Sequence, residues 1–172
     1  MTIEPEVWLR GSVDGVPAEL LPTAHAFLQT LEDVSHAAAG LTQDQLWRTP
    51  GGAPSVGFHL LHLDGSTDRL LTYARGERLS PDQKAALAAE QAPSPLDAAS
   101  LIAKLRMRIE ATVAALREVP VPTLYEGRTV GRAALPTTVI GLLFHAAEHS
   151  QRHAGQVVTT AKIVRGLDAG EG

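Results

Sequence analysis

The chain has 172 residues, 44% of them hydrophobic, and a formal net charge of −4. That size and apolar content suit one domain over 1–172 with a single core, and the scattered Lys and Arg residues form no stripe to neutralise phosphates, which argues against nucleic acid as a partner. The chain contains no cysteine, so disulfides, thiolate nucleophiles and cysteine-ligated zinc are excluded and any metal must be held by His or carboxylates. The composition fits a reducing cytoplasm. The opening MTIEPEVWLRGSVDG carries acids and a Pro where an export signal would carry basic residues and an apolar run. No stretch free of charge is longer than 133–147, which is broken by Pro136, Thr137, Thr138 and His145 and is shorter than the ~20 residues of a membrane span.

Hydrophobic residues recur at three- and four-residue steps along most of the chain, and no period-two run bounded by hairpin turns stands out, so the class is all-α. A first helix is predicted over about 16–39, with Leu20, Leu21, Ala24, Phe27, Leu28, Leu31, Val34 and Ala38 on one face and Gly40 as its stop. RTPGGAPS, 48–55, reads as a loop by its Pro and Gly content, and Ser55 is an N-cap for a second helix that runs to about Arg75 and stops at Gly76. The segment 80–95 is a connection with one short helix beginning at Pro81 and barred from continuing by Pro93 and Pro95. A third helix over about 96–119 carries Leu101, Ile102, Leu105, Ile109, Val113 and Leu116 on one side. PVPTLYEGRTVGRAALP, 120–136, reads as an irregular loop, and Pro136 is expected to open a fourth helix that runs to about 165 and ends at Gly166. The tail GLDAGEG is expected to fray. Four such helices bury their apolar faces most simply as a four-helix bundle.

The fourth helix contains FHAAEHSQRHAGQ, 144–156, in which His145, His149 and His153 follow one another at four-residue intervals. At ~100° per residue, His145 and His153 lie within ~40° of His149 and Gln156 within ~20°, so the four form one stripe. Val139, Ile140, Leu143, Ala146, Ala147, Ala154, Val157 and Val158 fill the adjoining arc, while Glu148, Gln151, Arg152 and Lys162 lie on the far side. Two histidines spaced i, i+4 can converge on one ion at ~2.0–2.1 Å from each ring. A third ligand has to come from another helix, and GFHLLHLDG on the second offers His59 and His62. The helical wheel alone favours His59, which lies nearer the apolar centre. His25 and His36 have no such context and read as structural or exposed.

Related chemistries fail on named residues. A zincin helix needs Glu directly after the first His, where this chain has Ser150. A di-iron bundle needs Glu-x-x-His, but Glu148 is followed at that spacing by Gln151. Asp64 and Asp68 form an i, i+4 carboxylate pair that reads as a solvated face. There is no G-x-S-x-G or P-loop, and Gly51-Gly52 sits in a Pro-rich turn without the spacing of a phosphate cradle.

Two segments carry a family resemblance. In SVGFHLLHL, 55–63, a helix-starting Ser is followed seven residues later by His62, and HSQRHAGQ, 149–156, matches the pattern H-x-x-x-H-x-G-Q. Through them the whole chain resembles the DinB-like group of small four-helix-bundle proteins, which includes the YfiT-type proteins and thiol-dependent transferases. The resemblance implies a divalent metal held by His62, His149 and His153, zinc or nickel first, with iron, cobalt or manganese also admissible. His59, His145 and Gln156 then fall to the pocket wall or to contacts behind the ligands, with Gly155 allowing close approach of a neighbouring helix. It implies transfer of a low-molecular-weight thiol to a small electrophile, with metal-assisted hydrolysis as the alternative reaction, and it allows a homodimer. It implies no DNA polymerase or DNA-binding activity. A bundle that binds metal or a small ligand without turnover, and a plain dimerisation module, are the competing expectations. In the catalytic readings His59 or His145 is a candidate proton shuttle.

Overall fold

Every α-helix except the first begins at a side chain that accepts from one of its first free N–H groups. In the structure, a computed structural model that describes residues 4–170, a 3-10 turn at Ala18–Leu20 leads into α1, Leu21–Ala38. Thr42 and Gln45 form a capping box for the short α2, Gln43–Trp47. Ser55 accepts a hydrogen bond from Phe58 N (3.1 Å) at the start of α3, Val56–Ala74. Ser80 and Gln83 form a second capping box at α4, Pro81–Ala89, and Asp97 caps α5, Ala98–Arg117. A hairpin of β1, Gly127–Val130, and β2, Leu135–Thr138, precedes α6, Val139–Gly170.

Helix α1 packs on α5 and α6, and α3 packs on the same two, which closes a four-helix ring. Phe27, Leu60, Leu63, Leu101, Leu105, Ile109, Leu116 and Val157 point into its centre and are almost wholly buried, each such side chain contributing about 1.5–3 kcal/mol. The bundle is the all-α architecture expected from the periodicity. Among the described residues no helix is long and apolar enough to cross a membrane.

Several boundaries differ from the sequence-based expectation. The first helix starts at Leu21, because Pro17 holds the chain extended and the 3-10 turn intervenes. The stretch read as irregular contains the hairpin, which pairs Gly127 with Thr138 and Val130 with Leu135. Its strands are four residues long and neither face is fully buried, so they leave no period-two signature. Pro136 lies in β2 opposite Thr129 and does not open the last helix. The preceding segment caps α6 instead: Val139 N donates to Glu126 O (3.1 Å), Ile140 N to Leu124 O (2.9 Å) and Gly141 N to Thr138 Oγ1 (3.1 Å).

Gly166 does not end α6, which runs on to Gly170. Long-range bonds hold the extra turn. Arg165 donates to Ala37 O (2.8 Å) and Ala39 O (2.7 Å) at the end of α1, and Asp168 accepts from Gln45 and Arg48. The tail is therefore helical through Gly170; Glu171 and Gly172, also read as frayed, lie outside the described residues.

Two further expectations are corrected by burial. Asp64 is buried and ion-paired with Lys104 (2.9 Å) and Arg108 (3.1 Å), and Asp68 pairs with Arg108 (2.6 Å), so this carboxylate pair ties α3 to α5 instead of facing water. Gln151, expected on the solvent side, donates to Ala26 O (2.7 Å) and Thr30 Oγ1 (2.9 Å) of α1.

Candidate metal centre

The capped start of α3 and the pinned start of α6 set the rotational phase of two neighbouring helices, and their histidines meet. One ring nitrogen from each of His62, His149 and His153 lies within 4.8 Å of the other two. His62 Nε2 and His149 Nε2 are 2.9 Å apart, and the His153 ring centroid stands 4.6 Å from that of His62 and 4.5 Å from that of His149. Phe58 stacks on His62 at 5.5 Å with its plane only 10° away.

The remaining predicted site residues surround this group without joining it. His59 is the most buried of them, 2% exposed, and its Nδ1 contacts His153 Nδ1 at 2.9 Å. It lies nearer the bundle centre, as the helical wheel suggests, yet it is His62 that faces both rings of α6. The His145 ring is 5.6 Å from that of His149, with its side chain 51% exposed and its Nδ1 3.5 Å from Glu148 Oε2. Gln156 is exposed and lines an open cavity of about 410 Å³ together with His59, Arg152 and Thr160. The close approach expected at Gly155 is absent: a Cβ placed there meets nothing within 4 Å. His25 donates to or accepts from no ring of the group, and its Nε2 pairs with Gly11 O at 2.8 Å. His36 is exposed.

Two side chains complete the site that no sequence pattern marked. Glu90, directly after α4, is 4% exposed and places Oε2 2.8 Å from His62 Nδ1. Arg69, also buried, donates to Glu90 Oε1 at 2.6 Å. Glu90 belongs to a connection without helical periodicity, and Arg69 reads as one more cation on α3. The only local signal is Gly65, a helix-weakening residue in the middle of α3.

Electrostatics keep His59, His149 and His153 neutral at pH 7. Burial, reinforced by the neighbouring His62, lowers the pKa of His59 to about 4. Burial and then the charges of His62, His145 and Arg152 lower His149 to about 4, and burial followed by His149, His62 and His59 lowers His153 to about 3. Burial alone would raise Glu90, but the hydrogen bonds from His62 and Arg69 outweigh it and hold the carboxyl below its usual range. Uncharged imidazoles with free lone pairs are the form a divalent cation requires. An ion at ~2.0–2.1 Å from three nitrogens needs them about 3.4 Å apart, within small side-chain rotations of the spacing present. The donor set fits a borderline divalent metal.

The fold and this cluster define the class: a four-helix bundle in which a three-histidine group between two helices could hold a metal ion. A family profile described as the DinB superfamily matches residues 26–157, well over half of the chain and including both histidine segments, and the protein belongs to that superfamily. No curated protein matches it.

Proposed function

We propose that the chain is a divalent-metal-dependent enzyme that transfers a low-molecular-weight thiol to an electrophilic small molecule, with His62, His149 and His153 as the metal ligands. The observation that carries this reading is the convergence of three imidazoles from two helices within 4.8 Å. Three protein ligands leave a position of a tetrahedral ion for substrate, the arrangement of catalytic rather than structural sites. When bound, the ion supplies Lewis acidity that makes a thiol available as thiolate at neutral pH.

The protein's own groups do the rest. His59 steadies the His153 ring through the 2.9 Å contact between their Nδ1 atoms. His145, half-exposed beside His149, is the proposed proton carrier, because it alone of the surrounding histidines reaches both the ring group and solvent. The sulfur arrives as a cosubstrate, since the chain has no cysteine to offer. Zinc and nickel are the metals of first choice for three imidazoles.

The reading is tested with protein purified without a metal-affinity tag and loaded with Zn²⁺ or Ni²⁺. It is incubated with thiols plus electrophiles and, separately, with a panel of esters and amides. Thiol-dependent consumption of an electrophile that stops on chelation supports transfer. Ester or amide cleavage without thiol replaces it with hydrolysis, and stoichiometric metal without turnover in either assay leaves a binding bundle.

A further inference from the structure

Glu90 takes no part in the chemistry proposed above, yet it is buried against the metal-ligand helix by contacts on both carboxylate oxygens. Oε1 accepts from Arg69 Nη1 (2.6 Å), and Oε2 faces His62 Nδ1 (2.8 Å) and, more distantly, Arg69 Nη2 (3.4 Å). A carboxylate opposed to a guanidinium can only accept hydrogen bonds. The hydrogen between Glu90 and His62 therefore sits on His62 Nδ1, which leaves the lone pair of that ring on Nε2. Nε2 is the atom that stands 2.9 Å from His149 Nε2.

An independent observation lies on α3 itself. Gly65 follows His62 by three residues, on the same side of the helix, where glycine weakens a helix relative to alanine. A Cβ built at Gly65 would overlap Glu90 Oε1 and stand 2.7 Å from Arg69 Nη1. The helix surface between His62 and Arg69 is thus left bare at the point where the carboxylate lies. A buried ion pair of this kind gains little stability over apolar residues of the same volume, which weighs toward a positional rather than a stabilising role.

We infer that Glu90 is a positioning residue for the metal site: held by Arg69 against the bare backbone of Gly65, it fixes His62 in the Nδ1–H form and aims Nε2 at His149 and His153. This rests on His62 being a ligand, as proposed above, so one readout is taken without metal. Nitrogen-resolved NMR of the metal-free protein reports the His62 tautomer directly. Wild type is expected to show Nδ1–H. In Glu90→Gln the amide oxygen satisfies Arg69 and the NH₂ faces His62 Nδ1, which reverses the tautomer. Gly65→Ala displaces the carboxylate without removing any polar group and is expected to leave a mixture of tautomers; it also carries the test if Glu90→Gln folds poorly. In Co²⁺ titrations followed by visible absorption, both variants are expected to bind about 10–100-fold more weakly than wild type.

Nε2–H at His62 in the wild-type protein overturns the inference, as does wild-type tautomer and Co²⁺ affinity in both variants. A wild-type protein that binds no Co²⁺ but whose His62 tautomer still reverses in Glu90→Gln upholds the positioning by Glu90 and refutes the metal reading alone.

Discussion

His62 Nε2 and His149 Nε2 face each other at 2.9 Å although 87 residues separate them in the chain. Two imidazole nitrogens at that distance must share a proton or a cation, because opposed lone pairs repel. With His153 completing the group, the cation is expected to win at neutral pH. Protein purified without a metal-affinity tag should carry close to one equivalent of divalent metal by elemental analysis. His62→Ala, His149→Ala and His153→Ala should each lower affinity by at least ~10-fold. Less than about half an equivalent in the wild type, reached from metal-supplemented growth, counts against the site.

Stability should fall with acid in a window set by the histidines. His59, His149 and His153 have folded pKa values of about 4, 4 and 3, below the ~6.5 of an unfolded imidazole. As pH drops below ~6.5 the unfolded chain takes up protons that the folded chain refuses, so stability present above that pH is lost progressively toward pH 4. The melting temperature of chelator-treated protein is expected to decline already between pH 6.5 and 5, before ordinary carboxylates titrate, and His153→Leu should flatten that decline. A wild-type melting temperature that is constant over the same interval refutes it.

His145→Gln separates a proton carrier from a ligand. The ring lies outside the three-nitrogen group and half in solvent, so metal content should stay at the wild-type level. Turnover should fall by roughly 10²–10⁴-fold, the usual scale of a lost general acid or base. Loss of bound metal in this variant would instead make His145 a ligand.

Two helical glycines should respond in opposite senses to alanine. A Cβ at Gly57 in α3 would stand 2.7 Å from ring atoms of Trp47, so Gly57→Ala should destabilise the protein by about 1–3 kcal/mol through overpacking. Gly155 in α6 faces open space, and Gly155→Ala should be neutral or stabilise by up to ~1 kcal/mol. Chemical denaturation of the two variants measures both, and equal effects would contradict the packing described for Trp47.

Much of the bundle was legible because helical periodicity and capping are local. Ser55 and Gly76 bracket α3 as its sequence implies, and Leu101, Leu105, Ile109, Val113 and Leu116 form the buried side of α5. Short elements escaped for an equally local reason. The hairpin strands bury neither face and so carry no alternation, and the five-residue α2 is marked only by the Thr42 and Gln45 capping box.

The amino-acid sequence by itself determined the four long amphipathic helices and the stripe of His145, His149 and His153, since both follow from residue spacing within one helix. Only the tertiary structure decided that His62 faces both His149 and His153 while His59 reaches His153 alone, because that choice depends on how α3 is rotated against α6. It also carried α6 past Gly166, through the bonds of Arg165 and Asp168 to distant segments. And it brought Glu90 from beyond α4 to His62: a contact spanning 28 residues, created by packing, leaves no periodic trace in the residues that make it.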